Sequence, residues 1–413
     1  AIHDDEAARI GQVWRATNSR PGGAILTERS TPFTGRHDQL RSIVRTIWAD
    51  GERQGALVVV AGEPGIGKSR IVLEARERIL AEHPELIWFT LPCFERQSHT
   101  AYECVRPLMR TLVGTASRMG GGGGPEALVE TLVAAGTVDF AGSGSLLEAI
   151  RTLVGEDPSA PVIQADRPLR VDQFHAACES AFSALLSLLL DRGPVVLHVE
   201  DLHWADDATA TLLAGIAATG RERGLQLVLS YRPAELGNVA FAERAIADSY
   251  HERTTTVSLE GLPDEALAEV VRAGRQGVHV DEATIAAIAR RSDGNPFFAL
   301  ELARSGEPSS VEQPGSVPLD IARVIQRRAD TLSEDARSTL RTAAVAGDET
   351  RWATVRRAAG VGDAAEAILN ELVNAGFLRR LAVYPEIVVG FAHSLFSDAL
   401  YASIPPDEAL RLH

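Results

Sequence analysis

Residues 62–69 read G-E-P-G-I-G-K-S, which fits G-x-x-x-x-G-K-[ST]. Gly62, Glu63, Pro64, Gly65, Ile66 and Gly67 form the glycine-rich part of this stretch, and Lys68, Ser69 and Arg70 open the next helical pattern. Glycines at these spacings let successive backbone N–H groups turn inward around phosphate oxygens, at the positive end of the next helix. Lys68 then reaches the β- and γ-phosphates as a compact point charge, and the Ser69 hydroxyl is placed for Mg²⁺. Lys68 is the one lysine in the chain, every other cationic side chain of the Lys/Arg class being arginine. That bias reads as GC-rich coding, and a planar guanidinium fits the cradle poorly. A second acidic site comes about 130 residues later, where PVVLHVED ends in Glu200 and Asp201. An acid at a strand end holds Mg²⁺, usually through water, and a neighbouring carboxylate orients or deprotonates an attacking water. In SYRP, Ser230 or Arg232 faces the γ-phosphate if its strand lies beside the one that precedes the glycines. His198 and His203 lack metal-ligand spacing and read as packing residues, and Trp204 reads as core.

These groups need strands and helices to carry them. ALVVVA (56–61) runs into the glycines as a buried strand, and SRIVLEARERILAEH comes next with apolar residues on one helical face. LIWFTLPC, PVVLHVED, LQLVLSYRP and TTTVSLEGL are further apolar strands. Helical patterns separate them, among them TPFTGRHDQLRSIVRTIWAD, DQFHAACESAFSALLSLLLDRG and DDATATLLAGIAATG, the last with Asp206 or Asp207 at its start. Continuous apolar strands alternating with helices imply an α/β fold with a parallel sheet covered on both faces. MGGGGGP at 119–125 marks a flexible insert spanning about 119–165. After Leu262 come three short amphipathic helices, a linker EPSSVEQPGSVP, four more helical patterns, a hairpin in GFLRRLAVYPEIVVGFAH and a closing helix. The expected organisation is a lead-in segment at 1–30, a phosphate-binding core at 31–261, a helical lid at 262–306, a linker at 307–318 and a winged-helix-like domain at 319–413.

Composition narrows the function classes. A net charge of −15 and a pI near 5.3 argue against nucleic-acid binding through the overall field. Cys93, Cys104 and Cys178 show no paired spacing, so reduced thiols in a cytoplasmic protein are expected. The longest apolar run, ALLSLLL, is too short to span a bilayer, and no signal-peptide pattern is visible. The chain begins without Met and ends within the helical pattern DEALRLH, so further segments of a longer protein are expected at both ends.

FTGRHDQL, GEPGIGKSR, VEDLHWADDAT, SYRP, GNPFF and FAHSLFSDALY occur in this order at fitting intervals. Together they resemble the signal-transduction ATPases of the STAND branch of the AAA+ class, and most closely the ATPase module of large ATP-binding bacterial regulators of the LuxR family. The resemblance covers about Phe33 to His413. It implies a P-loop NTPase domain followed by a helical lid and a winged-helix-like domain, with ATP or ADP and Mg²⁺ bound. It also implies that Thr34, Gly35 and Arg36 sit near the adenine or ribose, and that Glu200 and Asp201 are the Mg²⁺ and water-activating pair. Arg232 would be the first sensor, Gly294, Asn295 and Pro296 the G-x-P motif at the nucleotide's edge, and His393 a winged-helix histidine contacting ADP. His37 departs from the acid common after the GR pair. Such proteins usually continue into helical repeats and a DNA-binding helix-turn-helix, which this sequence does not contain.

The expected function is a slow, ATP- and ADP-dependent switch in a bacterial transcriptional regulator. The alternatives are an ATPase module joined to a cyclase or kinase, an assembling motor ATPase, and a P-loop protein that binds without hydrolysing. The partners expected are nucleotide, DNA only through domains outside this chain, no membrane, and a nucleotide-dependent homo-oligomer as an open option. Arg323, Arg327, Arg328, Arg337 and Arg341 are interleaved with Asp330, Glu334 and Asp335, which reads as a solvated ion-paired face rather than a DNA surface.

Overall fold

Five apolar runs become five strands of one sheet: β1 (Leu57–Gly62), β2 (Ile87–Pro92), β3 (Val195–Glu200), β4 (Gln226–Tyr231) and β5 (Thr254–Leu259). Neighbours pair in parallel in the order β2-β3-β4-β1-β5. β4 is buried at every position, and β1 and β3 at every position but the last. Burial on both faces is why these strands read as continuous apolar runs. Edge strand β5 instead alternates at its end, with Val257 and Leu259 buried and Thr256 and Ser258 exposed. This is the parallel-sheet P-loop NTPase fold expected from the sequence.

The structure is a computed structural model. It describes residues 31–412 apart from 49–53, 95–97, 99, 120–124, 135, 137–142, 156–170, 276–279, 306–320, 348, 363 and 383–386. The lead-in segment, the glycine run and the linker at 307–318 thus lie outside the described residues. The described chain divides into two compact units. The sheet unit takes 38–63 and 71–259, and the other takes 31–37, 64–70 and 260–412. The glycine loop groups with the segments after 260 in this division.

In the sheet unit, α1 (His37–Ile47) buries Leu40, Ile43 and Ile47. α2 (Lys68–Glu82) continues from the loop and buries Ile71, Val72, Ala75 and Ile79. α3 (Val105–Met119), α4 (Pro125–Ala134), α5 (Ser143–Val154) and α6 (Val171–Leu190) pack on one another. Two of these, α4 and α5, stand inside the segment expected to hold a flexible insert. Leu128, Val129 and Leu132 on α4 and Leu146, Ala149, Ile150 and Leu153 on α5 are buried at helical spacing.

Residues Asp172–Leu190 of α6 are, among the described residues, long and apolar enough by length and composition to cross a membrane. The short run ALLSLLL concealed this, because Ala177, Cys178, Ala181 and Phe182 extend the apolar face towards the N-terminus. Here that face is core, packed against α5 and α7 (Asp207–Gly220). α8 (Ala240–Tyr250) completes the unit and packs on α7.

In the other unit, α9 (Asp264–Gly274), α10 (Glu282–Ser292) and α11 (Pro296–Ser305) form the helical lid around Leu267, Val271, Ile285, Ala299 and Ala303. The winged part comes next: α12 (Ile321–Ala329), α13 (Glu334–Ala346), β6 (Glu349–Arg351), α14 (Trp352–Ala358), α15 (Ala365–Asn374), β7 (Leu378–Ala382), β8 (Val388–Phe391), α16 (Ser394–Ala402) and α17 (Pro406–Leu412). Its strands pair antiparallel in the order β6-β8-β7. Leu340, Val355, Leu369, Phe377, Phe391 and Phe396 lie in its core. Lid and wing are joined at Glu301, 1% exposed, which accepts hydrogen bonds from Arg328 and, at 3.4 Å, from Arg304. The Arg328 guanidinium also lies 4.7 Å from the Phe377 ring and 5.3 Å from the Phe396 ring.

Candidate functional site

The loop after β1 has the backbone its glycines allow. Gly65 has φ +74° and Gly67 φ +103°, both in the left-handed region that other residues enter at a cost. Lys68 opens α2 and is buried, and Ser69 beside it is exposed. The first N–H groups of any helix lack an intrahelical acceptor, so donors concentrate here.

Two side chains hold the loop from behind. Arg36 donates from Nη1 to the Ile66 carbonyl and from Nη2 to the Glu260 carbonyl at 2.7 Å. Burial pulls its guanidinium down to about 10, which leaves it protonated at neutral pH. Asn295 donates from Nδ2 to the Pro64 carbonyl at 2.9 Å. A Cβ on Gly67 would meet Arg36 Nη1 at 2.9 Å, and one on Gly65 would meet Phe297 Cβ at 3.0 Å and Asn295 Oδ1 at 3.1 Å. Backbone N–H groups, a buried ammonium and a hydroxyl make a donor set suited to a polyphosphate. The Ser69 hydroxyl in one unit, and the carboxylates of Glu200 and Asp201 in the other, are each of the hard oxygen class that Mg²⁺ prefers.

The remaining residues expected at the nucleotide's edge fall in the same unit. Gly35 has φ +74°, and a Cβ there would meet Ala266 Cβ at 2.7 Å, so it packs tightly on α9. Pro296 is the first residue of α11, and Asn295 Oδ1 accepts from the Phe297 N–H at 3.1 Å. His393 caps α16 by accepting the Leu395 N–H on Nδ1 at 3.1 Å, and its ring lies 4.3 Å from that of Phe297. Arg70 donates to the Thr31 carbonyl at 3.2 Å.

In the sheet unit, parallel pairing brings the carboxyl ends of β1, β4 and β3 to one edge, in that order. β4 therefore lies beside β1, the condition set for Ser230 and Arg232. Glu200 ends β3, half-buried. Asp201 comes next at φ 56°, ψ 52°, a left-handed conformation uncommon for a non-glycine residue, and its N–H reaches Ser230 Oγ at 3.3 Å. Ser230 Oγ lies 3.5 Å from His198 Nε2. The Arg232 N–H reaches His203 Nδ1 at 3.4 Å, while Nη1 meets both Glu235 carboxylate oxygens at 3.1 Å. Glu235 also lies 3.6 Å from His203 Nε2, and the Arg232 guanidinium stands 6.0 Å from the Trp204 ring.

Both histidines thus serve the packing of the loops. Trp204 differs from the expectation of a core residue, being half-buried beneath a guanidinium. Asp206 is the cap of α7: it accepts the Thr209 N–H at 2.9 Å, the Thr209 hydroxyl at 2.6 Å and the Tyr102 N–H at 3.3 Å. The sequence reading did not single out Glu235 or the second role of Asn295. Glu235 could have been found from its place three residues after Arg232 in R-P-A-E, whereas Asn295 carried no signal for a partner 231 residues away.

Residues 32–229 match the AAA ATPase domain family. An uncharacterised protein of Rhizobium meliloti (strain 1021) is 27% identical over 428 residues, covering 97% of this chain and 38% of its own length. The chain therefore spans well under half of that relative. Among solved structures, a signal transduction ATPase with numerous domains and a tetratricopeptide repeat sensor, from Pyrococcus horikoshii, has a TM-score of 0.49 at 14% identity, over 93% of this chain and 45% of that one. The ORC2 protein of Aeropyrum pernix has a TM-score of 0.39 at 11% identity, over 90% of this chain and 94% of that one. RuvB of Thermotoga maritima has a TM-score of 0.34 at 14% identity, over 91% of this chain and 96% of that one. Residues 32–229 are thus the part of the chain that is similar to the AAA ATPase domain family.

Proposed function

We propose that this AAA ATPase domain, with the lid and wing after it, is a nucleotide-operated switch that binds ATP and hydrolyses it slowly to ADP and phosphate. The observation that supports this reading most is the grouping of the glycine loop, 64–70, with the residues after 260. A phosphate-binding loop built into the same compact unit as a lid and a wing gives ATP and ADP a means of favouring different arrangements. A ligand shifts an equilibrium only through such differential affinity.

In this reading the N–H groups of the loop and Lys68 hold the β- and γ-phosphates, with Gly35, Arg36, Pro296 and His393 towards the nucleoside end. Ser69, Glu200 and Asp201 would hold Mg²⁺, which neutralises phosphate charge when bound. Glu200 or Asp201 takes the proton of the attacking water as its oxygen bonds to the γ-phosphorus and the bond to the bridging oxygen breaks. Arg232 would meet the developing charge only after leaving Glu235, which accords with slow turnover.

The likeness to large ATP-binding regulators makes transcription the output we favour, with DNA met by other parts of a longer protein. In a helix-turn-helix the second helix enters the major groove. Here α15 is the second helix of the pair and carries Glu366 and Glu371 with no Lys or Arg, so the wing itself is poorly suited to DNA. Three buried free thiols fit a reducing compartment, and we place the protein in the cytoplasm.

The first experiment denatures the purified protein, identifies any released nucleotide by chromatography and tracks ATP turnover at several protein concentrations. Bound ADP with turnover below about one per second, at the low end of enzyme rates, supports the switch. An empty site with fast, concentration-dependent turnover would replace it with an assembling motor.

A further inference from the structure

We propose that Arg36 and Asn295 are positioning residues that shape the phosphate cradle, each holding one carbonyl of the loop so that the N–H groups of Gly65 and Gly67 face the phosphates. This rests on the nucleotide reading above and assigns the two side chains a role other than contact with the base or ribose.

A trans peptide unit is planar, with its C=O and the N–H of the next residue on opposite sides. Asn295 Nδ2 fixes the Pro64 carbonyl, which turns the Gly65 N–H the other way. Arg36 Nη1 fixes the Ile66 carbonyl, which does the same for the Gly67 N–H. Each held carbonyl belongs to the residue before a glycine of positive φ. The absent side chain of Gly67 leaves the room that Arg36 Nη1 occupies. Both donors are enclosed, Arg36 at 6% exposure and Asn295 at 9%.

Their other ends meet in one clamp. Arg36 Nη2 donates to the Glu260 carbonyl, and the Leu262 N–H donates to the Gly294 carbonyl at 2.8 Å. Gly261 and Gly294 approach so closely that a Cβ on Gly294 would meet Gly261 Cα at 2.8 Å. Residues 260–262 and 293–295 thus move as a pair, and both braces depend on them. Displacing the entry to the lid would rotate two peptide planes of the cradle and lower its affinity for phosphate. The same coupling, run in reverse, lets bound phosphate fix the lid.

The test uses the 413-residue chain and calorimetric titration with ADP and with adenosine, alongside thermal unfolding without nucleotide. Asn295→Asp keeps the Oδ1 acceptor that caps α11 but replaces the donor facing Pro64 with a second acceptor. Arg36→Met removes both guanidinium donors, and Arg36→Lys restores one. We expect Asn295→Asp and Arg36→Met to lower ADP affinity by about tenfold or more, the scale of one charge-assisted or buried hydrogen bond, with Arg36→Lys between. Adenosine affinity should fall far less than ADP affinity in Asn295→Asp, and the melting temperature shows that the variant is folded under the titration conditions. An unchanged ADP affinity in Asn295→Asp, or an equal fall for adenosine and ADP, overturns the proposal even if Arg36→Met fails to fold. Lys68→Ala separates the two levels. Loss of ADP in Lys68→Ala with full retention in Asn295→Asp leaves the nucleotide reading standing and removes this one. Absence of ADP and ATP binding in the unaltered chain removes both.

Discussion

Lys68 keeps 7% of its surface exposed at the positive end of a helix, the place for a cation that is to reach a phosphate. Lys68→Ala should lower ATP and ADP affinity at least about 100-fold, or roughly 3 kcal/mol, in a calorimetric titration. Glu200→Gln and Asp201→Asn should keep nucleotide affinity within a few-fold and lose turnover by about 100-fold or more, as removal of a general base does. Glu235→Gln should raise turnover, because the Nη1 contacts at 3.1 Å that hold Arg232 lose their charge. A fall in turnover at saturating ATP would show instead that Glu235 supports Arg232. Residue chemistry is legible where it is local in sequence: the spacing of Gly62, Gly67, Lys68 and Ser69 is enough to propose a phosphate cradle. The supports of that cradle were not legible, because Arg36 and Asn295 reach it across 30 and 231 residues and a side chain's partner is set by the fold.

Elements were legible where apolar residues repeat. β1, β3 and β4 show themselves as unbroken apolar runs because both faces are covered, and α9 to α11 show themselves by helical spacing. β6 did not, since Glu349, Thr350 and Arg351 are polar and become a strand only through pairing with β8. Caps were half legible, with Asp206 and Asp207 both suited to start α7. The structure gives the cap to Asp206, which is buried and serves Thr209 twice and Tyr102 once. Asp206→Ala should lower unfolding free energy by about 2 kcal/mol or more, a cap plus an orphaned buried donor, read as a shift in the urea midpoint. Asp207→Ala, exposed in the first turn, should cost less than about 1 kcal/mol.

At the scale of the molecule, the thiols report on whether the sheet unit is intact. Cys93, Cys104 and Cys178 are buried. A hydrogen bond with Cys104, and then burial, push the Cys93 thiol well above its usual range, and burial pushes Cys178 up to about 12. A raised thiol stays protonated and unreactive at pH 8, so a thiol reagent should label neither Cys93 nor Cys178 in the native protein and all three cysteines after denaturation. Early labelling of Cys178 would place a local opening at α6. The order of segments along the chain has one more outcome. The loop at 64–70 belongs with residues after 260, yet 71–259 lie between them in the gene. No single cut yields two self-sufficient pieces, because a break near Glu260 parts the loop from Asn295. Recombination can therefore hand the loop and its supports to a new host protein only together, and a gene fusion that borrows half of them would inherit a loop without Asn295.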